Sequence, residues 1–125
     1  MPLITILIED SKTIRDNLIP ALRELADIDV VAFAETVSQA VEALQKNDAW
    51  ELAIVDLFLK EGSGLTVLRA CQRRAAHKHV VVLTNYLNLS IREECLRLGA
   101  DAVFDKSNEI EAFFDHCHDI RRQGQ

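Results

Sequence analysis

The sequence predicts an α/β protein, a three-layer sandwich in which five parallel strands alternate with five helices. Three observations predict it. Short apolar runs recur at Ile4–Ile8, Leu52–Val55, Val80–Leu83 and Ala102–Phe104, and continuous runs of this length suit strands buried on both faces. Segments with helical periodicity lie between them, which implies βαβ units with right-handed crossovers. Each run also stops at a polar residue: Glu9-Asp10, Asp56, Thr84 and Asp105-Lys106. In a parallel sheet those stops share the carboxyl edge, where open α/β sheets bind ligands.

The elements follow in order. Leu3–Ile8 reads as the first strand. Ser11 is a fitting N-cap for a helix through about Ala26, with Ile14, Leu18, Ala21, Leu22 and Leu25 on its buried face. Pro20 lies inside that helix and removes one backbone hydrogen bond, so a kink is expected there. Asp29–Ala34 is the second strand, and Thr36 caps a helix to about Asn47 built on Val37, Ala40, Val41 and Leu44. Glu51–Asp56 is the third strand and Lys60-Glu61-Gly62-Ser63-Gly64 a loop. Leu65 to about Ala76 reads as a helix, and His79–Thr84 as the fourth strand. Asn88 or Ser90 starts a helix that ends at Gly99, a natural glycine to follow a helix C-terminus. Asp101–Phe104 is the fifth strand, and a last helix spans about Asn108 to Arg121.

The 125 residues suit one domain spanning 1–125, with a core of ordinary size. Apolar residues make up 49% of the chain and charged residues 27%, a globular rather than disordered composition. The net charge of −6 speaks against a nucleic-acid-binding surface. The basic group Arg69, Arg73, Arg74, His77, Lys78 and His79 reads as a solvated helix end and loop. Cys71, Cys95 and Cys117 are widely spaced and odd in number, which fits reduced thiols in a cytoplasmic protein. No run approaches the length that spans a bilayer, so no membrane insertion is expected.

The strand ends carry the chemistry. A carboxylate accepts a phosphoryl group as a mixed anhydride when the accumulating charge is neutralised. Magnesium suits that work because it takes carboxylates, carbonyls, waters and phosphate oxygens together. Glu9 and Asp10 supply fixed negative charge, Asp56 is the acceptor, Lys106 a point charge for phosphate oxygens, and Thr84 a hydrogen-bond donor. Singly, each has a plainer role in a helix start, a turn or a solvated loop. Their order at successive strand ends is what points to a site. His77 with His79, and His116-Cys117-His118, invite a zinc reading, but adjacent helical positions diverge and the second group cannot converge on one ion.

This set resembles the receiver domain of bacterial two-component response regulators over essentially the whole chain. The resemblance rests on Ile6-Leu7-Ile8-Glu9-Asp10-Ser11, Ile54-Val55-Asp56-Leu57, Gly62-Ser63-Gly64-Leu65, Val82-Leu83-Thr84-Asn85, and Gly99-Ala100-Asp101 leading to Lys106. It implies a flavodoxin-like (βα)5 fold with strand order 2-1-3-4-5. It implies that Asp56 is phosphorylated by a sensor histidine kinase or histidine phosphotransfer protein. Asp10 and Asp56 would ligate Mg2+ directly, with the Phe58 backbone carbonyl, and Glu9 through water. Thr84 and Lys106 would contact the phosphoryl group. Kinase recognition would use the first helix, at Ile14, Arg15 and Leu18, and an unidentified downstream protein would bind the face formed by helix 4, strand 5 and helix 5.

Two departures from the family pattern are expected to matter. Val103 stands where an aromatic usually switches rotamer, and alternation puts Phe104 on the other face of the strand. Ser107 follows the lysine in place of a proline, which predicts a trans Lys106–Ser107 bond with Ser107 or Asn108 capping the last helix. Phe58 and Tyr86 occupy positions that line the approach of water in the family, which predicts slow self-dephosphorylation. The chain ends soon after the fifth helix, so output by partner binding is expected, with no catalysis beyond its own phosphorylation and dephosphorylation. A phosphorylation-independent interaction module of the same fold is the alternative, though it would not need the acidic cluster. A flavin binder would want a Ser/Thr/Gly-rich phosphate loop after the first strand. A phosphatase would want a second acid where Phe58 stands.

Overall fold

The computed structural model describes residues 2–85 and 87–123. Among them, β1 (Leu3–Ile8), α1 (Lys12–Ala26), β2 (Ile28–Ala34), α2 (Val37–Lys46), β3 (Leu52–Val55), α3 (Gly64–Ala70), β4 (His79–Thr84), α4 (Leu89–Arg97), β5 (Ala102–Asp105) and α5 (Ile110–Gln123) alternate along the chain. The strands form one parallel sheet in the order β2-β1-β3-β4-β5. This is the flavodoxin-like (βα)5 architecture expected from the sequence. Ile8 pairs with Val55, Val55 with Val82 and Thr84 with Asp105, so the polar residues that end these strands come to one edge.

Apolar runs bury both faces of β1, β3 and β4, and two core layers result. Ile6, Ile8, Ala53, Val55, Val80 and Val82 pack with α2, α3 and α4. Leu7, Leu52, Ile54, Val81 and Leu83 pack with Leu18 and Leu22 of α1 and Phe113 and Cys117 of α5. All three thiols are buried, and burial raises each pKa, that of Cys117 to about 12. They act as small core residues. No helix of the described residues is long and apolar enough to cross a membrane.

Local signals set most of the helix starts. Ser11, Thr36 and Asn88 each accept a hydrogen bond from the backbone N–H three residues on, at 3.2, 3.2 and 2.8 Å. Helix α1 passes through Pro20 without ending, and that residue lies on the exposed side, where water can reach the freed Asp16 carbonyl. Asp27 then closes α1 in the left-handed region at φ 54°, a conformation Asp tolerates better than most residues.

Four expectations need correction. The buried stripe of α1 is Arg15, Leu18, Leu22 and Ala26, while Leu25 is 66% exposed. The helix is turned so that Arg15, not an apolar neighbour, meets the sheet. Helix α3 ends at Ala70 rather than Ala76. There Arg74 donates to the carbonyls of Cys71 (3.1 Å), Lys78 (2.8 Å) and Gly99 (2.8 Å) and pairs with Asp101 at 2.9 Å. Those bonds need the chain to leave the helix, and they make Arg74 a tie between three segments rather than a solvated cation. Helix α5 begins at Ile110, and neither Ser107 nor Asn108 caps it. The Asp105 carboxylate instead accepts from the N–H groups of Ser107 (2.7 Å) and Asn108 (3.3 Å), while Glu109 Oε1 accepts from the Asp105 N–H at 3.0 Å. Finally, Arg15 and Leu18 are buried and cannot form a docking surface as they stand; Ile14 is half-buried.

Candidate functional site

At the carboxyl edge of the sheet Glu9, Asp10, Ser11, Ile14, Asp56, Phe58, Asn85 and Lys106 line a cleft of about 320 Å³. Strand β1 delivers Glu9 and Asp10, β3 delivers Asp56, β4 delivers Thr84, and the turn after β5 delivers Lys106. Burial differs among them: Glu9 is 2% and Asp56 6% exposed, and Asp10 is half-buried. One carboxylate oxygen from each of Glu9, Asp10 and Asp56 lies within 4.8 Å of the others. Among the described residues this is the one such cluster of three potential metal ligands, and it includes no histidine.

Both oxygens of Asp56 are engaged. Oδ1 accepts from the Thr84 hydroxyl at 2.9 Å and from the Phe58 N–H at 3.4 Å, and Oδ2 accepts from Lys106 Nζ at 3.0 Å. Lys106 Nζ also contacts Glu9 Oε1, whose other oxygen accepts the Ser11 N–H at 3.1 Å. Burial raises the Glu9 carboxyl above its ordinary value; the Lys106 hydrogen bond opposes this and the Asp56 charge adds to it. For Lys106 burial is the largest influence and pushes downward. The hydrogen bonds and charges of Glu9 and Asp56 together outweigh it, so the ammonium is held above its ordinary value. Lys106 therefore remains a fixed positive charge between two carboxylates.

The arrangement suits a particular kind of chemistry. Three carboxylates converge without sulfur or imidazole, a donor set that selects hard cations such as magnesium. A hydroxyl and an ammonium flank the Asp56 carboxylate, where they can meet oxygens of an incoming phosphoryl group. A family profile for the response regulator receiver domain matches residues 5–118.

The chain belongs to that family.

Two curated relatives show how far the likeness runs. The photosynthetic apparatus regulatory protein RegA of Rhodobacter capsulatus is 37% identical over 73 residues, 58% of this chain and 39% of that protein. A protein-glutamate methylesterase/protein-glutamine glutaminase of Rhodospirillum rubrum is 28% identical over 124 residues, 95% of this chain and 32% of the relative. The receiver thus spans well under half of the curated relatives it matches. Among solved structures, the signal receiver domain of a DNA-binding response regulator from Colwellia psychrerythraea superposes with a TM-score of 0.85 at 19% identity, covering 96% of this chain and 98% of that one. The response regulator domain of Thermotoga maritima CheB gives 0.81 at 20% identity, covering 98% and 96%. Identities this low speak for the fold. Receiver domains interact with histidine kinases or phosphotransfer proteins.

In this receiver the two departures take definite form. Val103 is buried in the layer shared with α4, while Phe104 lies in the opposite layer, 6.0 Å from Phe113 and 5.6 Å from His116. No aromatic stands on the α4 side of β5 at these positions. Arg92 of α4 instead hydrogen-bonds the Val103 carbonyl and pairs with Glu109 at 2.6 Å. No cis peptide occurs among the described residues, so the Lys106–Ser107 bond is trans. Phe58 is 54% exposed at the cleft rim. Tyr86 lies outside the described residues.

Sequence reasoning placed Arg15 on a docking surface and missed its buried hydrogen bond to the Glu9 carbonyl, and it missed the Arg92–Glu109 pair. A signal existed for Arg15. It sits three residues before Leu18 and seven before Leu22, on the apolar stripe of α1, where a charge is out of pattern.

Proposed function

We propose that this receiver domain accepts a phosphoryl group on Asp56 from the phosphohistidine of a sensor kinase or histidine phosphotransfer protein. The observation that carries this reading is the Asp56 carboxylate held between the Thr84 hydroxyl and the Lys106 ammonium, beside Glu9 and Asp10. A carboxylate oxygen of Asp56 attacks phosphorus, the O–P bond of an acyl phosphate forms, and the P–N bond to histidine breaks. The imidazole leaves with the electron pair and takes up a proton from solvent. Water later attacks the same phosphorus, breaking that O–P bond to return the carboxylate and inorganic phosphate. The chain would catalyse only these steps on itself.

Asp10, Asp56 and the Phe58 carbonyl would hold Mg2+, with Glu9 acting through water. The ion would neutralise charge on the transferring group. Lys106 supplies a second positive charge at a fixed place. Thr84 must exchange its hydrogen bond to Asp56 for one to a phosphoryl oxygen, which pulls on the end of β4. Output would pass to a protein partner in the cytoplasm. At the cleft rim the half-buried Ile14 and the exposed Phe58 are available to the phosphoryl donor.

The test is incubation with acetyl phosphate and magnesium, read by intact mass. The wild type is expected to gain one phosphoryl group and Asp56→Asn none. Equal labelling of both proteins would place the phosphoryl group on a residue other than Asp56, and labelling of neither would point to a phosphorylation-independent module of the same fold. Phe58 is expected to slow hydrolysis by shielding phosphorus from water. In the same assay the acyl phosphate on Phe58→Asn should decay several-fold faster; an unchanged lifetime removes Phe58 from that role.

A further inference from the structure

Arg15 is a charged side chain on the buried stripe of α1, with only 7% of its surface exposed. Its Nη1 donates to the Glu9 backbone carbonyl at 2.9 Å and to Glu35 Oε2 at 3.2 Å. The guanidinium carbon lies 4.2 Å from the centroid of the Phe33 ring. Lys60 reaches the same Glu35 oxygen at 3.0 Å, and the Lys60 N–H donates to the Glu35 carbonyl at 3.1 Å. The guanidinium therefore ties the loop after β1 to the loop after β2, and Lys60 joins the loop after β3 to the same Glu35, all at the carboxyl edge. Burying such a cation is costly unless it is paired and hydrogen-bonded. Here the compensation comes from a carbonyl, a carboxylate and an aromatic face.

The target of that hydrogen bond gives it meaning. The Glu9 carbonyl belongs to the peptide joining Glu9 to Asp10, which between them carry two of the three clustered carboxylates. Holding the carbonyl fixes the plane of that peptide and hence the direction in which Asp10 leaves β1. We propose that Arg15 is a positioning residue for the cation site, setting the spacing of the Glu9 and Asp10 carboxylates against Asp56. The proposal rests on the reading that this cluster holds magnesium. Arg suits the task because its planar Nη1 group serves two acceptors while the guanidinium lies over Phe33; a lysine ammonium is a point charge with no such face. Lys60 acts only on Glu35 and is mostly exposed, so it should contribute little.

The test measures magnesium affinity by calorimetry on folded protein, well below each variant's thermal midpoint. Arg15→Met keeps an unbranched apolar side chain at this position and removes the guanidinium, with its contact to Phe33. Its Kd for magnesium is expected to rise by about tenfold or more, the usual cost of losing support behind a ligand. Arg15→Lys should recover part of that loss, and Lys60→Met should bind as the wild type does. A purely structural arginine would lower the thermal midpoint while leaving the Kd of the folded protein unchanged, and that result overturns the proposal. If Arg15→Met does not fold, Arg15→Lys decides, with a wild-type Kd again counting against it. Failure of the wild type to bind magnesium in an Asp56-dependent way would overturn the metal reading itself. Wild-type binding with unchanged variants would overturn the positioning role alone.

Discussion

Gly64→Ala is expected to lower stability by about 3 kcal/mol and to impair phosphoryl capture in whatever fraction remains folded. A Cβ on Gly64 would meet the Asp56 carbonyl oxygen at 2.2 Å, Leu57 Cα at 2.8 Å and the Asp56 carbonyl carbon at 3.0 Å. All three are backbone atoms, so no rotamer relieves the clash. The start of α3 must move away or Asp56 must shift, and the Gly64 N–H also donates to the Leu57 carbonyl at 3.0 Å. Gly99→Ala is the control. Its Cβ would meet nothing closer than 3.8 Å, and its cost is the strain of φ 104°, about 1–2 kcal/mol. Urea unfolding checks the order, and acetyl phosphate labelling checks the site. A Gly64→Ala protein as stable as Gly99→Ala would show that the β3–α3 junction yields more easily than its packing implies.

Lys106→Met is expected to cost about 3 kcal/mol in magnesium-free buffer near neutral pH, because two buried carboxylates lose their shared partner. The folded-state Lys106 pKa lies above 10.5, so its contribution is fully present at neutral pH and fades only as pH rises through that higher value. Glu9 works in the opposite sense. Its folded pKa is raised, so deprotonation disfavours the fold, and without Lys106 the rise should be larger. The variant should therefore regain stability as pH falls toward the Glu9 range, and magnesium should stabilise it more than it stabilises the wild type. Thermal midpoints with and without magnesium, at mildly acidic and neutral pH, check both trends. A variant matching the wild type at neutral pH without magnesium would mean that the Lys106 contacts contribute little. Phosphoryl capture should also slow, since the ammonium would no longer meet the incoming oxygens.

Much of the fold was legible because its signals are local or periodic. Buried strands announce themselves as apolar runs, and Ser11, Thr36 and Asn88 cap their own helices within three residues. Strand alternation placed Val103 and Phe104 in opposite layers, as they are found. The gathering of Glu9, Asp10, Asp56, Thr84 and Lys106 was legible too, because parallel connections bring every strand end to one edge. What escaped were features governed by partners distant in sequence. Helix α3 stops where Arg74 can reach Gly99 and Asp101, and nothing within the α3 segment reports those partners. The start of α5 depends on an exchange between Asp105 and Glu109 that competes with Ser107 and Asn108 as caps.

The amino-acid sequence by itself determined the order of elements, the edge of the sheet where chemistry collects, and the identity of the residues that meet there. These follow from patterns whose physical cause lies within a few residues along the chain. Only the tertiary structure decided how those residues are held. It turned α1 to bury Arg15 against Glu9 and Glu35, placed Lys106 between two carboxylates, brought the Asp56 backbone against Gly64, and tied α4 to β5 through Arg92. Each of these is a contact across the fold, where the cost of burying a charge or crowding a backbone is met by a partner that no periodicity reveals.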